Sequence, residues 1–119
     1  MTDYDFHFEV RDDGVAILRL DRPDTLNSLT FEIYRQLERL FVDLETDHRV
    51  KVVVLTGTGK GFCSGGNVEE IIKPLLELDL AQTLQFTRMT GAVVRNMRRL
   101  TKPIVAAVNG VAAGAGANL

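Results

Sequence analysis

Near the start of the chain, Phe6, Phe8 and Val10 interleave with His7 and Glu9, and after Asp13-Gly14 the alternation resumes at Ala16, Leu18 and Leu20. A period of two on either side of an Asp-Gly turn predicts a β-hairpin. The polar stretch Asp21–Ser28 then separates this hairpin from a change of period. From Thr30, a plausible N-cap, the apolar residues Ile33, Tyr34, Leu37, Leu40, Phe41 and Leu44 recur at three-four spacing, with Glu32 favourably placed in the first turn. The spacing predicts a helix. Val50–Leu55 is a continuous β-branched run, which predicts a strand buried on both faces.

Beyond it, Val68–Lys73 can open a helix that Pro74 is expected to interrupt, and Leu75–Leu80 shows no clean period. An irregular or mobile stretch is expected there. Phe86, Met89, Val93, Met97 and Leu100 mark a second long helix closed by Lys102-Pro103, and Ile104–Val108 reads as a further buried strand. The order β-β-α-β-α-β predicts a layered α/β fold.

Two glycine-rich turns punctuate this pattern: Gly61–Val68, and Asn109–Gly116. Each follows an apolar strand-like run and leads toward a helix-like segment. A turn with no bulky side chains presents bare N–H groups at the positive end of a helix dipole, which suits an anion or a developing oxyanion. Two such turns can grip one oxygen from two sides.

Composition narrows the classes. The chain has 119 residues, 45% hydrophobic and 25% charged, with a net charge of -2, enough for one modest core in a single domain or part of one. Its scattered Lys and Arg form no basic stripe, so nucleic acid is not an expected partner. No apolar run reaches the roughly 20 residues of a membrane span. The single Cys63 and an acidic start without an export signal fit a reducing, cytoplasmic setting. The last strand-like run passes into a Gly/Ala segment that stops at Leu119, and the natural protein is expected to continue further.

Several motifs fail on inspection. Thr56–Gly61 is not a phosphate loop, because Gly61 stands where Ser or Thr must reach magnesium and Val54 where the first Gly belongs. The glycines at 57, 59 and 61 miss the dinucleotide fingerprint at Phe62. Ser64 lacks the flanking glycine of a nucleophile elbow, and Cys63, with no nearby His, reads as a small buried apolar residue. His7 and His48 are expected to face solvent. No residues have metal-ligand spacing, so no metal is expected.

Three blocks, taken together, carry a resemblance: Leu20-Asp21-Arg22-Pro23 running into Leu26-Asn27-Ser28-Leu29; Gly61-Phe62-Cys63-Ser64-Gly65-Gly66-Asn67-Val68; and Lys102-Pro103-Ile104-Val105-Ala106-Ala107-Val108-Asn109-Gly110 with its Gly/Ala tail. In this order and separation they resemble the enoyl-CoA hydratase/isomerase (crotonase) superfamily, over residues 15–119. The resemblance implies a crotonase-like spiral of ββα units, here the N-terminal part of a single domain and incomplete at the C-terminus. It implies assembly into trimers or dimers of trimers, an acyl-CoA thioester as substrate, coenzyme A entering only as part of that substrate, and stabilisation of a thioester enolate. The two backbone donors to the thioester oxygen fall on Gly66 and Ala115. By the same resemblance Thr25, Leu26, Ser64, Gly65, Gly66, Asn67 and Val68 line the groove for coenzyme A. Arg22 either approaches a phosphate or is simply solvated.

This chain departs from the pattern at two points. Asn118 stands where the hydratases carry an acid/base glutamate, whose second partner lies beyond Leu119, and Asn cannot exchange a proton near neutral pH. Asn67 replaces an acidic residue after the first turn but can still accept a backbone hydrogen bond. The tail most resembles isomerase-like members, such as the ring-epoxide isomerases of phenylacetyl-CoA breakdown, whose acidic residue comes from a later segment. Glu69 and Glu70 are alternative acid/base candidates, although a helix start favours acidic residues for dipole reasons alone. A lyase or thioester hydrolase of the same superfamily and a non-catalytic acyl-CoA-binding subunit remain rival readings. Leu75–Gln85 is expected to border the acyl pocket.

Overall fold

A computed structural model describes residues 4–119; residues 1–3, part of the acidic start, lie outside it. Strands β1 (His7–Val10) and β2 (Val15–Leu20) form the expected hairpin, pairing Phe8 with Leu18 and Val10 with Ala16. The turn is held by the Asp13 carboxylate, which accepts the Val15 N–H at 3.1 Å. Helix α1 (Phe31–Thr46) follows, its start fixed by Thr30, whose hydroxyl accepts the Ile33 N–H at 3.1 Å. Ile33, Leu37, Leu40, Phe41 and Leu44 are all buried. Burying each such side chain contributes about 1.5–3 kcal/mol, an upper figure for a realistic unfolded chain.

Two further ββα units repeat this plan. The second comprises β3 (Val52–Gly57), β4 (Gly61–Cys63), a wide π turn at Val68–Ile72, α2 (Lys73–Glu77) and α3 (Leu80–Arg99). The third comprises β5 (Ile104–Ala106), β6 (Val111–Ala112) and α4 (Ala115–Asn118). Strands β1-β2-β3-β5 form one sheet, with β2, β3 and β5 parallel, and β4 pairs with β6 in a second parallel sheet. Each unit thus stacks on the one before it, as a spiral requires. Ala16, Leu18, Val53 and Leu55 point to one face of the large sheet and join the residues of α1 in a single core.

Five expectations need correction. Strand β3 is not buried on both faces: Val53, Leu55 and Gly57 are buried, whereas Val52, Val54 and Thr56 are half-buried, because the core lies against one face. Strand β5 ends at Ala106 rather than Val108, and its exposed Val105 and Ala106 reflect a position at the sheet edge. Pro74 does not break the helix. The turn before it widens, with the N–H groups of Ile71 and Ile72 both donating to the Asn67 carbonyl, and Pro74 falls in the first turn of α2, where no N–H is needed. The irregular stretch shrinks to Leu78-Asp79. Helix α3 accordingly begins six residues before Phe86, behind a capping box in which Asp79 and Gln82 each satisfy the other's backbone N–H. His7 is half-buried, 3.4 Å from Glu9, rather than facing solvent, whereas His48 is exposed, as expected, in the turn after α1.

Candidate functional site

The short strands β4 and β6, which the glycine pattern concealed, set the geometry of the site. Their register pairs Gly61 with Val111 and Cys63 with Ala112. Because the strands run parallel, both glycine-rich turns leave the small sheet at the same end. Gly66 and Ala115 stand three residues beyond the paired Cys63 and Ala112, at equivalent points of successive units. The turns touch. Gly65 has φ +106°, and a Cβ on it would lie 3.1 Å from the Ala113 carbonyl oxygen and 3.6 Å from the Ala115 nitrogen. A Cβ on Gly116 would lie 2.1 Å from the Cys63 carbonyl oxygen, so only hydrogen fits between the third unit and β4.

The backbone hydrogen bonds around the turns do not use every donor. Leu29 N–H donates to Gly65 O at 2.7 Å, Asn67 N–H to Leu29 O at 2.8 Å, Ala113 N–H to Cys63 O at 3.0 Å and Gly116 N–H to Ala113 O at 2.9 Å. Among the described residues none of these bonds uses the N–H of Gly66 or of Ala115, and both residues are half-buried. The dipole argument is weaker than the sequence implied, since α4 is only four residues long.

The coenzyme A candidates assemble beside the first turn. Ser64 N–H donates to Leu26 O at 2.9 Å, and the Ser64 hydroxyl donates to Thr25 O at 2.8 Å. Ser28 Oγ donates to Thr25 Oγ1 at 2.7 Å, and Asn67 Nδ2 donates to Ser28 Oγ at 3.0 Å. Asn67 Oδ1 also accepts the Glu70 N–H at 2.9 Å, the loop-fixing bond that an Asn can still make. Leu26, with φ +53°, and Val68 are exposed at the rim. Arg22 is neither simply solvated nor open to a phosphate: its Nη1 donates to the Glu70 carboxylate at Oε2, 3.0 Å away.

The nucleophile and carboxylate candidates are occupied elsewhere. Cys63 is fully buried, and burial pushes its thiol up, away from the thiolate. Glu70 pairs with Arg22, and Glu69 with Lys73 at 2.9 Å; both carboxylates are exposed. Asn118, at the end of α4, lines a hollow with Leu55, Val94, Met97, Ile104 and Ala106. From the segment expected to border an acyl pocket, Leu78, Gln82 and Gln85 line a groove between α1 and α3 with Phe31, Arg35 and Phe86. Among the described residues no group of three His, Cys, Asp or Glu side chains is placed to hold a metal ion, and no helix is long and apolar enough to cross a membrane.

Two residues that sequence reasoning passed over organise the site. Asn27, 1% exposed and with φ +59°, accepts the Arg22 N–H on Oδ1 at 2.8 Å and donates from Nδ2 to Thr58 O at 3.0 Å and Gly61 O at 2.8 Å. Asn109 accepts the Gly57 N–H at 3.1 Å and donates to Gly59 O at 2.9 Å and Gly61 O at 3.0 Å. A positive φ is tolerated by Asn better than by most residues, and this was the available signal at position 27.

Residues 10–119 match the family model described as enoyl-CoA hydratase/isomerase. The chain is 40% identical over 108 residues to the 1,2-epoxyphenylacetyl-CoA isomerase of Escherichia coli K12, covering 89% of this chain and 40% of that protein. Among solved structures, a candidate enoyl-CoA hydratase from Streptomyces coelicolor A3(2) superposes with a TM-score of 0.89 at 52% identity, over 94% of this chain and 40% of that one. An enoyl-CoA hydratase/isomerase from Mycobacterium paratuberculosis superposes with a TM-score of 0.83 at 32% identity, over 92% and 43% of the two chains. The chain therefore spans about two fifths of the length of these relatives.

Proposed function

The chain belongs to the enoyl-CoA hydratase/isomerase family, and on that premise we propose that it supplies the thioester-gripping part of an acyl-CoA isomerase or hydratase-like enzyme. In this reading the thioester carbonyl enters between the Gly66 and Ala115 N–H groups. Removal of the α-proton moves charge onto that oxygen, and the two donors, already oriented by the sheet, stabilise the enolate without reorganising. One such donor contributes roughly 3–4 kcal/mol of transition-state stabilisation. The single observation that supports the reading is the parallel register of β4 and β6, which brings both glycine-rich turns to the same end of the small sheet, close enough that a Cβ on Gly65 would lie 3.6 Å from the Ala115 nitrogen.

Coenzyme A enters as part of the substrate, along the rim formed by Arg22, Thr25, Leu26 and Ser64 to Val68, with no separate cofactor. Arg22 reaches a phosphate only by leaving Glu70. Asn118 cannot act as the acid/base, so the proton-transferring residue is assigned to a later segment of the whole protein. This favours isomerisation over two-carboxylate hydration, in keeping with the relative named as an isomerase. The whole protein is proposed to be a cytoplasmic homotrimer or hexamer.

The test is exchange of the α-proton of a saturated acyl-CoA into deuterated water, on the full-length protein. Exchange is expected in the parent and is lost in Gly66→Val. A Cβ at this position meets Ile71 and Ile72 only at 3.5 and 3.7 Å, so the fold tolerates a side chain there while the donor is screened. Equal exchange in both proteins overturns the proposal. Asn118 sustains one second reading, a non-catalytic acyl-CoA-binding subunit, which predicts binding with no exchange in the parent. Lyase and hydrolase activities are separated from isomerisation by a substrate screen.

A further inference from the structure

The Gly61 carbonyl oxygen is the point at which all three ββα units meet. Asn27 reaches it from the loop between β2 and α1, and Asn109 from the loop between β5 and β6, at 2.8 and 3.0 Å. Gly61 itself opens β4, and it pairs with Val111, the first residue of β6. The approach is tight: a Cβ on Gly110 would lie 1.8 Å from the Lys60 carbonyl oxygen, and a Cβ on Gly57 would lie 2.7 Å from Asn27 Nδ2. Both asparagines also hold the loop before β4, Asn27 at Thr58 O and Asn109 at Gly57 N and Gly59 O.

This arrangement has a mechanical meaning. Strands of three and two residues with a register irregularity between Gly61 and Cys63 supply little hydrogen bonding of their own to fix their relative position. The offset between the strands decides the offset between the N–H groups of Gly66 and Ala115. Two side-chain amides that share one carbonyl oxygen hold that offset from both flanks. We infer that Asn27 and Asn109 are positioning residues, which set the separation of the two backbone donors and thereby the polarisation of the bound thioester. The inference rests on the proposed role of Gly66 and Ala115.

The carboxylate of Asn109→Asp keeps the shape and can still accept the Gly57 N–H, but it donates to neither Gly59 O nor Gly61 O. Asn109→Ala removes the same donors without adding charge, and Asn27→Asp repeats the test from the other flank. In the full-length protein, the infrared C=O stretch of a bound acyl-CoA thioester reads polarisation directly, and α-proton exchange reads its consequence. The parent is expected to shift the stretch to lower frequency. The Asn109 variants are expected to lose most of that shift, to slow exchange about 10- to 100-fold, and to change acyl-CoA affinity less than about threefold, the signature of misplaced rather than missing groups. A purely structural role would lower stability and leave the stretch of the bound, folded fraction unchanged. Parent-like stretch and exchange in both Asn109 variants overturn the inference alone. A parent with neither shift nor exchange overturns the reading on which it stands.

Discussion

Single atoms decide much of this site, and Gly116 shows it most simply. Alanine there would place a carbon 2.1 Å from the Cys63 carbonyl oxygen, which is backbone and cannot swing aside. Gly116→Ala is expected to destabilise the protein by about 1–3 kcal/mol, as overpacking does, visible as a lower urea midpoint with unchanged slope. Buried Cys63, held in its thiol form, is expected to react with a thiol reagent only at the rate of unfolding, so denaturant should accelerate labelling steeply. Asp47 gives a pH signature. Hydrogen bonds from the Arg49 side chain, at 3.0 and 2.8 Å, hold its carboxyl at about 2. The pair's contribution is fully present above the unfolded value of roughly 4 and fades as pH falls through about 2. With the Arg49 side chain exposed to water, that contribution is small. Asp47→Asn should therefore lower the urea midpoint slightly at pH 6, and the difference from the parent should close toward pH 2.

At the scale of elements, the start of α3 rests on Asp79. Asp79→Ala is expected to cost about 1 kcal/mol and to speed amide exchange through Leu80–Leu84 more than elsewhere. That boundary was missed in the sequence because Leu80 is 85% exposed and Leu84 46%, so no apolar stripe announces the first turns; Asp79 and Gln82 at capping-box spacing were the only local cue. Strand β2 and helix α1 were legible because their apolar faces are buried along their whole length, which imposes clean periods of two and 3.6; β1 repeats the period of two although Phe8 and Val10 are only half-buried. Strands β4 and β6 are too short to express any period. The glycine turns were readable as donors looking for an acceptor, but the register that makes them neighbours is a property of the paired strands and is invisible in either turn alone. Asn27 and Asn109 escaped notice because polar residues in loops are ordinary until their partners are known.

Across the molecule, three stacked units leave their last member uncovered. Val105, Val108 and Val111 are 51%, 59% and 53% exposed along the β5–β6 flank, and β5 has a partner on one side only among the described residues. An open apolar edge of this kind invites pairing. The 119-residue chain produced alone is expected to grow in size with rising concentration and to bind a hydrophobic dye, whereas a protein of its relatives' full length should keep one defined size and bind no dye over the same range; light scattering on the two compares them directly. The staircase plan has one more outcome. Both proposed donors hang on the small sheet, while the polypeptide between them, from Asn67 to Pro103, travels out through α2 and α3 and returns. Its outer part around Leu76, Leu80 and Leu84, exposed and away from the core residues Val93 and Leu100, can change its lining without shifting either anchor. New substrate preferences can thus arise by remodelling the detour, leaving the chemistry where it was.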